Sequence, residues 1–78
     1  MKELLEVIAK NIVDCPEDIK IEEITREDGT IVLKLNVNES DVGKVIGKQG
    51  RIAKSIRTII KAYAIACNKK VFVDINVD

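Results

Sequence analysis

Five consecutive residues, Gly47-Lys48-Gln49-Gly50-Arg51, concentrate the chemistry of this chain. Two glycines without Cβ atoms let another backbone approach closely. Lys48 and Arg51 bring full positive charge beside them. A loop of this kind that opens a helix also presents unpaired N–H groups and the positive end of a dipole, which favour an anion. Two sharper phosphate motifs fail. A P-loop requires Gly-x-x-x-x-Gly-Lys-Ser/Thr, but only Lys44, Val45 and Ile46 separate Gly43 from Gly47, and Gln49 follows Lys48. A dinucleotide fingerprint requires Gly-x-Gly-x-x-Gly, and Val45 stands where its first glycine belongs. A nucleotide-dependent enzyme is therefore disfavoured. Gly-x-x-Gly alone also serves as a tight turn between packed helices, so its surroundings must decide.

Those surroundings are one-sided. Between Val42 and Val73 stand eight basic residues (Lys44, Lys48, Arg51, Lys54, Arg57, Lys61, Lys69, Lys70) and no Asp or Glu. The rest of the chain holds five basic and thirteen acidic residues, so a net charge of zero hides a split of +8 against −8. A helix needs a polar outer face, and a single basic stripe would ordinarily mean no more than that. Exposed helices usually mix signs, because like charges four residues apart repel. A stripe of Lys54, Arg57 and Lys61 with no acid among them points to a polyanion as the compensating partner.

Other chemistries lack their parts. The chain has no histidine, so no Ser/His or Cys/His pair exists. Cys15 and Cys67 do not form a metal-ligand spacing, and reduced thiols in or near the core of a cytosolic protein are expected. The carboxylate pairs Glu22-Glu23 and Glu27-Asp28 fall on strand or turn stretches and read as solvated faces. No window approaches the roughly 18 apolar residues of a membrane span. The start, Met1-Lys2-Glu3-Leu4, does not read as a signal peptide. Seventy-eight residues, 46% hydrophobic, suffice for one domain covering 1–78. A domain that small gains from self-association.

The elements that must position the loop follow from periodicity. Residues 2–14 form an amphipathic helix with Leu4, Leu5, Ile8 and Ile12 on one face, stopped by Pro16. Residues 19–25 form a strand in which Ile24 falls out of phase with Ile19 and Ile21, implying a bulge near Glu22-Glu23. Asp28-Gly29 marks a hairpin turn. Ile31, Leu33, Leu35 and Val37 share one face of the next strand. Asn38 to Asp41 offers several helix caps, and a short helix follows over 40–46, ending at Gly47. A longer helix runs from Arg51 to Cys67, with Ile52, Ile56, Ile59, Ile60 and Tyr63 against the sheet and Arg51, Lys54, Arg57 and Lys61 opposite. Val71, Val73, Ile75 and Val77 alternate in a final strand. The order is α-β-β-α-α-β.

With these residues in place, the chain resembles the KH domain. Val45-Ile46-Gly47-Lys48-Gln49-Gly50-Arg51-Ile52 looks like its signature, an aliphatic pair, Gly-x-x-Gly, then a helix opening on an aliphatic residue, and Gly43 fits upstream. The likeness covers the whole chain. It is strongest to the small stand-alone bacterial KH proteins of the KhpA family, through Gly43 to Lys54 and then Ile56-Arg57. The resemblance implies an α+β fold of type II, with a three-stranded mixed sheet and helices packed on one face.

It also implies a non-catalytic protein that clamps about four nucleotides of single-stranded RNA, the glycine loop lying against the backbone. By resemblance Gly47, Lys48, Gln49 and Gly50 hold phosphates, Lys44, Arg51 and Lys54 flank the groove, and Arg57 contributes less. Lys61, about 15 Å up the helix, reaches only longer RNA or water. Ile46 and Ile52 belong to the core or the groove floor. Tyr63 and Phe72 are the only aromatics, so no stacking platform is expected. The resemblance implies no cofactor, a cytoplasmic location, homodimers, and a larger KhpB-like KH partner in RNA-linked control or chaperoning tied to growth and cell shape. Two rivals stand beside it. One is a protein-interaction module for which RNA is secondary; the other is single-stranded DNA binding, which shares the phosphate physics.

Overall fold

The computed structural model describes residues 1–75 and orders them as α1 (Lys2–Lys10), β1 (Lys20–Thr25), β2 (Ile31–Asn36), α2 (Val42–Ile46), α3 (Arg51–Ala66) and β3 (Val71–Ile75). This is the expected α+β order, helix-strand-strand-helix-helix-strand. The sheet runs β1-β2-β3, with β1 antiparallel and β3 parallel to the central β2. The β2–α2–α3–β3 crossover makes the second pairing parallel and covers one face of the sheet with helices.

The central strand carries the core because it is flanked on both sides. Leu33 and Leu35 are fully buried, and Ile31, Val71, Val73 and Ile75 join them on the helix-facing side. Leu5 and Ala9 of α1, Val45 of α2, and Ala53, Ile56, Ile60 and Ala64 of α3 close over that layer. On the opposite face Ile24, Val32 and Phe72 lie side by side across three strands. Lys70 Nζ stands 5.6 Å from the Phe72 ring centroid. Val32 is only 4% exposed there, covered by its neighbours, while Phe72 stays 47% exposed.

Several expectations need correction. The first helix stops at Lys10, not residue 14; Asn11 donates to Val7 O from its side chain, and the chain turns to bring Val13 into the core. The bulge near Glu22-Glu23 is absent, because β1 pairs with β2 in unbroken register from Lys20↔Asn36 to Thr25↔Ile31. Ile24 breaks the alternation for a different reason: it packs in the outer cluster opposite Val32. The hairpin closes where the Arg26 amide donates to Thr30 O, and Gly29 takes the positive φ of 88° that the turn requires. The apolar face of α3 is rotated from the expected one. Ala53 and Ala64 are buried with Ile56 and Ile60, while Ile52, Ile59 and Tyr63 are 38, 48 and 46% exposed. Small alanines let the helix sit close to the sheet, which turns the bulkier flank outward. Val77 lies outside the described residues.

Candidate nucleic-acid interface

The loop between α2 and α3 is built from unusual backbone. Gly47 sits at φ 74°, ψ 177°, Gln49 at φ 56°, ψ 25°, and Gly50 at φ 73°, ψ 16°. The first of these lies in a region that is essentially glycine-only. The two glycines differ in what confines them. A Cβ on Gly47 would come 2.6 Å from Ile52 Cγ1, whereas one on Gly50 would meet nothing within 4 Å. Gly47 N–H donates to Gly43 O at 2.8 Å, ending α2, and Gly50 N–H donates to Gly47 O at 3.2 Å, closing a 3₁₀ turn over Lys48–Gly50. Three positive-φ residues in four turn the chain sharply, and α3 begins immediately afterwards at Arg51.

The short helix before the loop is held from behind. Asn38 caps its 3₁₀ entry by accepting the Ser40 amide. Asp41, 1% exposed, reaches away from α2 and accepts the amides of Asp14 and Cys15 at 3.1 and 3.0 Å. One buried carboxylate thus ties the exit of α1 to the entrance of α2, and Val45 fixes α2 in the core. The sequence offered Asp41 only as a cap for its own helix.

The expected site residues separate into two groups. Lys48, Gln49, Arg51, Lys54 and Arg57 are exposed around the loop and along one flank of α3, with Gly47 and Gly50 half-buried between them. Among the described residues, no ion pair joins Lys48, Arg51, Lys54, Arg57 or Lys61 to a carboxylate. Lys44 is placed differently. Its ammonium pairs with Asp14 and lies 3.9 Å from Asp41. The hydrogen bond to Asp14 holds its pKa above the ordinary value. Its charge is largely answered within the molecule, on the α1 side of the loop.

The structure adds a wall that sequence reasoning missed. β3 is an edge strand, and a cleft of about 470 Å³ runs between it and α3, lined by Arg57, Lys61, Ile65 and the strand from Val71 to Asp74. The amide of Ile31 takes Lys70 O, so by ladder alternation the backbone groups of Val71 and Val73 point to the free edge. Arg57 Nε donates to one of them, Val73 O, at 3.1 Å. Ile46 and Ile52, 36 and 38% exposed, lie outside the core and supply an apolar surface beside the loop. No periodicity in the sequence says which strand is the edge, so none could have found this wall. Neither thiol is fully buried; Cys15 is half-buried, a near-core position, whereas Cys67 is exposed, against the expectation of a core or near-core place.

Loop, basic flank and edge cleft lie next to one another around the start and along one flank of α3. Comparison with known proteins identifies the family. Residues 2–75 match the family model described as KhpA/KhpB, KH domain. The chain is 59% identical over 75 residues to the RNA-binding protein KhpA of Clostridium acetobutylicum, covering 96% of this chain and 99% of that protein. It is 60% identical over 75 residues to the protein of the same name from Clostridium perfringens, with the same coverage. Among solved structures it resembles Aquifex aeolicus Era bound to GDP.AlF4−, with a TM-score of 0.61, 21% identity and 95% of this chain covered. It resembles Era in complex with MgGDPNP and nucleotides of 16S ribosomal RNA at a TM-score of 0.60. The chain spans 28% of those Era chains, and the likeness is one of fold.

Proposed function

The chain belongs to the KhpA/KhpB KH-domain family, a non-catalytic family, and from that membership we propose that it binds single-stranded RNA through the Gly47–Gly50 loop. The observation that carries this reading is the row of exposed cations with no carboxylate partner among the described residues, running from Lys48 through Arg51 and Lys54 to Arg57 beside the cleft. Phosphates lie against the loop, where glycine permits close approach and the start of α3 directs its first N–H groups and positive dipole end outward. Lys48 and Arg51 supply charge at the loop, and Lys54 and Arg57 continue it along the helix. Bases turn toward the aliphatic surface of Ile46 and Ile52 and the β3 edge. Lys44 acts chiefly as a strut between α2 and α1. The protein works as one KH domain in the cytoplasm.

Self-association is part of the same reading. Ile59 and Tyr63 are exposed four residues apart, on the flank of α3 opposite Arg57 and Lys61. A second copy packed there leaves the basic flank free, and two weak RNA sites joined in a dimer gain avidity. A larger KhpB-like KH protein is the expected second partner, in RNA-linked control of growth and cell shape.

The test is a fluorescence-anisotropy titration of labelled single-stranded RNA across a salt series, with wild type and a Lys48→Asp/Gln49→Asp variant. About three neutralised phosphates at roughly −0.7 each predict a slope of log K on log salt near −2. The variant should keep its fold and its dimer and lose the RNA. Equal binding by wild type and variant would remove the loop from the interface. A matched DNA oligonucleotide separates RNA from DNA recognition, since only the 2′-hydroxyl differs in the backbone.

A further inference from the structure

The sheet has a second edge, on the side of β2 away from β3. β1 ends the strand order, and among the described residues no strand lies beyond it. The Arg26 amide donates to Thr30 O, so by alternation along the unbroken register the backbones of Lys20, Glu22 and Ile24 face β2. The N–H and C=O groups of Ile21, Glu23 and Thr25 then point outward. The side chains of these three share the helix-facing side with Leu35, Leu33 and Ile31, their partners in the ladder. Those partners are buried, whereas Glu23 and Thr25 are exposed and Ile21 is half-buried. The helical layer thus stops short of this edge and leaves room beside it.

Proteins commonly blunt such an edge with proline, a bulge or lysine. β1 has no proline and no bulge, and Lys20 is its only lysine, at the first position. The edge carries negative charge instead. Between Glu17 and Asp28 stand six exposed carboxylates (Glu17, Asp18, Glu22, Glu23, Glu27, Asp28) and two cations (Lys20, Arg26), a net charge of −4. Among the described residues none of the six forms an ion pair, not even Glu22 with Lys34 opposite it in the ladder. Asp18 accepts Asn38 Nδ2 and Asp28 accepts the Thr30 amide, bonds that leave both charges in place. This edge discriminates between occupants. A second β1 brings the same excess of carboxylates, so two copies repel across a shared ladder. A strand with lysine or arginine at alternate positions sets cations beside Glu23 on one face and apolar residues beside the half-buried Ile24 on the other.

We infer that the β1 edge is a docking site for a protein partner, which adds an extended segment with basic residues at alternate positions as a fourth strand. The outward backbone groups of Ile21, Glu23 and Thr25 supply the ladder, and the carboxylates around them select a basic strand. β1 and β3 lie on opposite sides of β2, about 10 Å apart. The partner therefore binds without displacing a ligand from the loop and the α3 flank. This site uses neither the glycine loop nor the basic residues behind it, so it stands apart from the RNA reading.

The probe is the capped peptide Lys-Val-Lys-Val-Lys-Val-Lys-Val, titrated into the ¹⁵N-labelled protein and followed by amide NMR and hydrogen exchange. A capped Lys-Gly-Lys-Gly-Lys-Gly-Lys-Gly peptide has the same charge and little strand propensity. Two variants accompany wild type. Glu23→Lys reverses the charge at an exposed position. Glu23→Pro removes an N–H that points to solvent, which an edge strand tolerates, and circular dichroism checks that both are folded. The expected result is binding of the Lys-Val peptide to wild type, with the amides of Ile21, Glu23 and Thr25 gaining exchange protection. Affinity should fall about tenfold in Glu23→Lys and be lost in Glu23→Pro. RNA affinity should be the same in Glu23→Pro as in wild type. A Lys-Gly peptide that binds as well, or full binding by Glu23→Pro, reduces the contact to bulk charge and overturns the added strand. A wild type that does not bind the Lys-Val peptide overturns it too. Protection of the three amides that rises with protein concentration alone makes a second copy the occupant and overturns the basic partner. RNA binding lost in a folded Glu23→Pro would overturn the separation of the two surfaces.

Discussion

At the scale of single residues, the loop's two glycines make different demands. Gly47→Ala meets both a glycine-only backbone region and the Ile52 side chain at 2.6 Å. It should destabilise the protein by about 2–3 kcal/mol and displace the loop. Gly50→Ala faces only the left-handed backbone penalty, about 1–2 kcal/mol, with open space around its methyl. Denaturant unfolding of the two variants measures that difference, and equal losses would mean the Ile52 contact yields freely. The cysteines separate in a similar way. Burial, and then the nearby Asp41 carboxylate, pushes the Cys15 thiol up, so it resists thiolate formation. Cys67 is exposed. A thiol reagent at pH 8 should therefore modify Cys67 well before Cys15, and mass spectrometry of the partly labelled protein reads the order directly. The glycines were legible in the sequence as a pair. Their inequality was not, because it depends on where Ile52 comes to rest.

At the scale of elements, one buried carboxylate and one hairpin aspartate hold the scaffold. Asp41→Ala would leave the Asp14 and Cys15 amides without their acceptor, at a cost of about 3 kcal/mol, and would release α2 from α1. Asp41→Asn keeps one acceptor oxygen and should lose about half as much. Thermal melts of both variants test this, and a neutral Asp41→Ala would show that other contacts hold α2. In the hairpin, Thr30 N–H donates to Asp28 at 2.9 Å and holds that carboxyl below its ordinary value of 3.8. A depressed carboxylate contributes stability that is present above its unfolded pKa and lost as pH falls through the folded one. The denaturation midpoint should therefore drop between pH 5 and pH 3, and Asp28→Ala should flatten that part of the profile. Element order, the β2 pattern and the α2–loop–α3 succession were readable from periodicity. The early end of α1, the unbroken β1 register and the rotated face of α3 were not. Each depends on a partner surface: Val13 entering the core, Ile24 packing across the strands on Val32, and alanines allowing close approach to the sheet.

At the scale of the whole molecule, zero net charge conceals a strongly divided surface. Electrostatic steering follows the local field of the basic flank and not the total. Stopped-flow association with RNA should thus slow as salt rises, despite the neutral balance. An Arg51→Glu/Lys54→Glu variant should associate at least tenfold more slowly at low salt, with the difference closing at high salt. A rate insensitive to both would place the encounter surface elsewhere. The sequence by itself determined the charge split, the glycine loop at the mouth of a helix, the order of elements and the likeness to KH domains. These are properties of residue identity and spacing, which survive without knowing what packs on what. Only the tertiary structure decided that Lys44 pairs with Asp14 at the surface, that β3 is an edge strand, and that this edge and α3 enclose a cleft leading away from the loop. The reason is physical. A strand's place in a sheet and a lysine's choice of partner are set by contacts between residues far apart in the chain. Local pattern carries no record of those contacts.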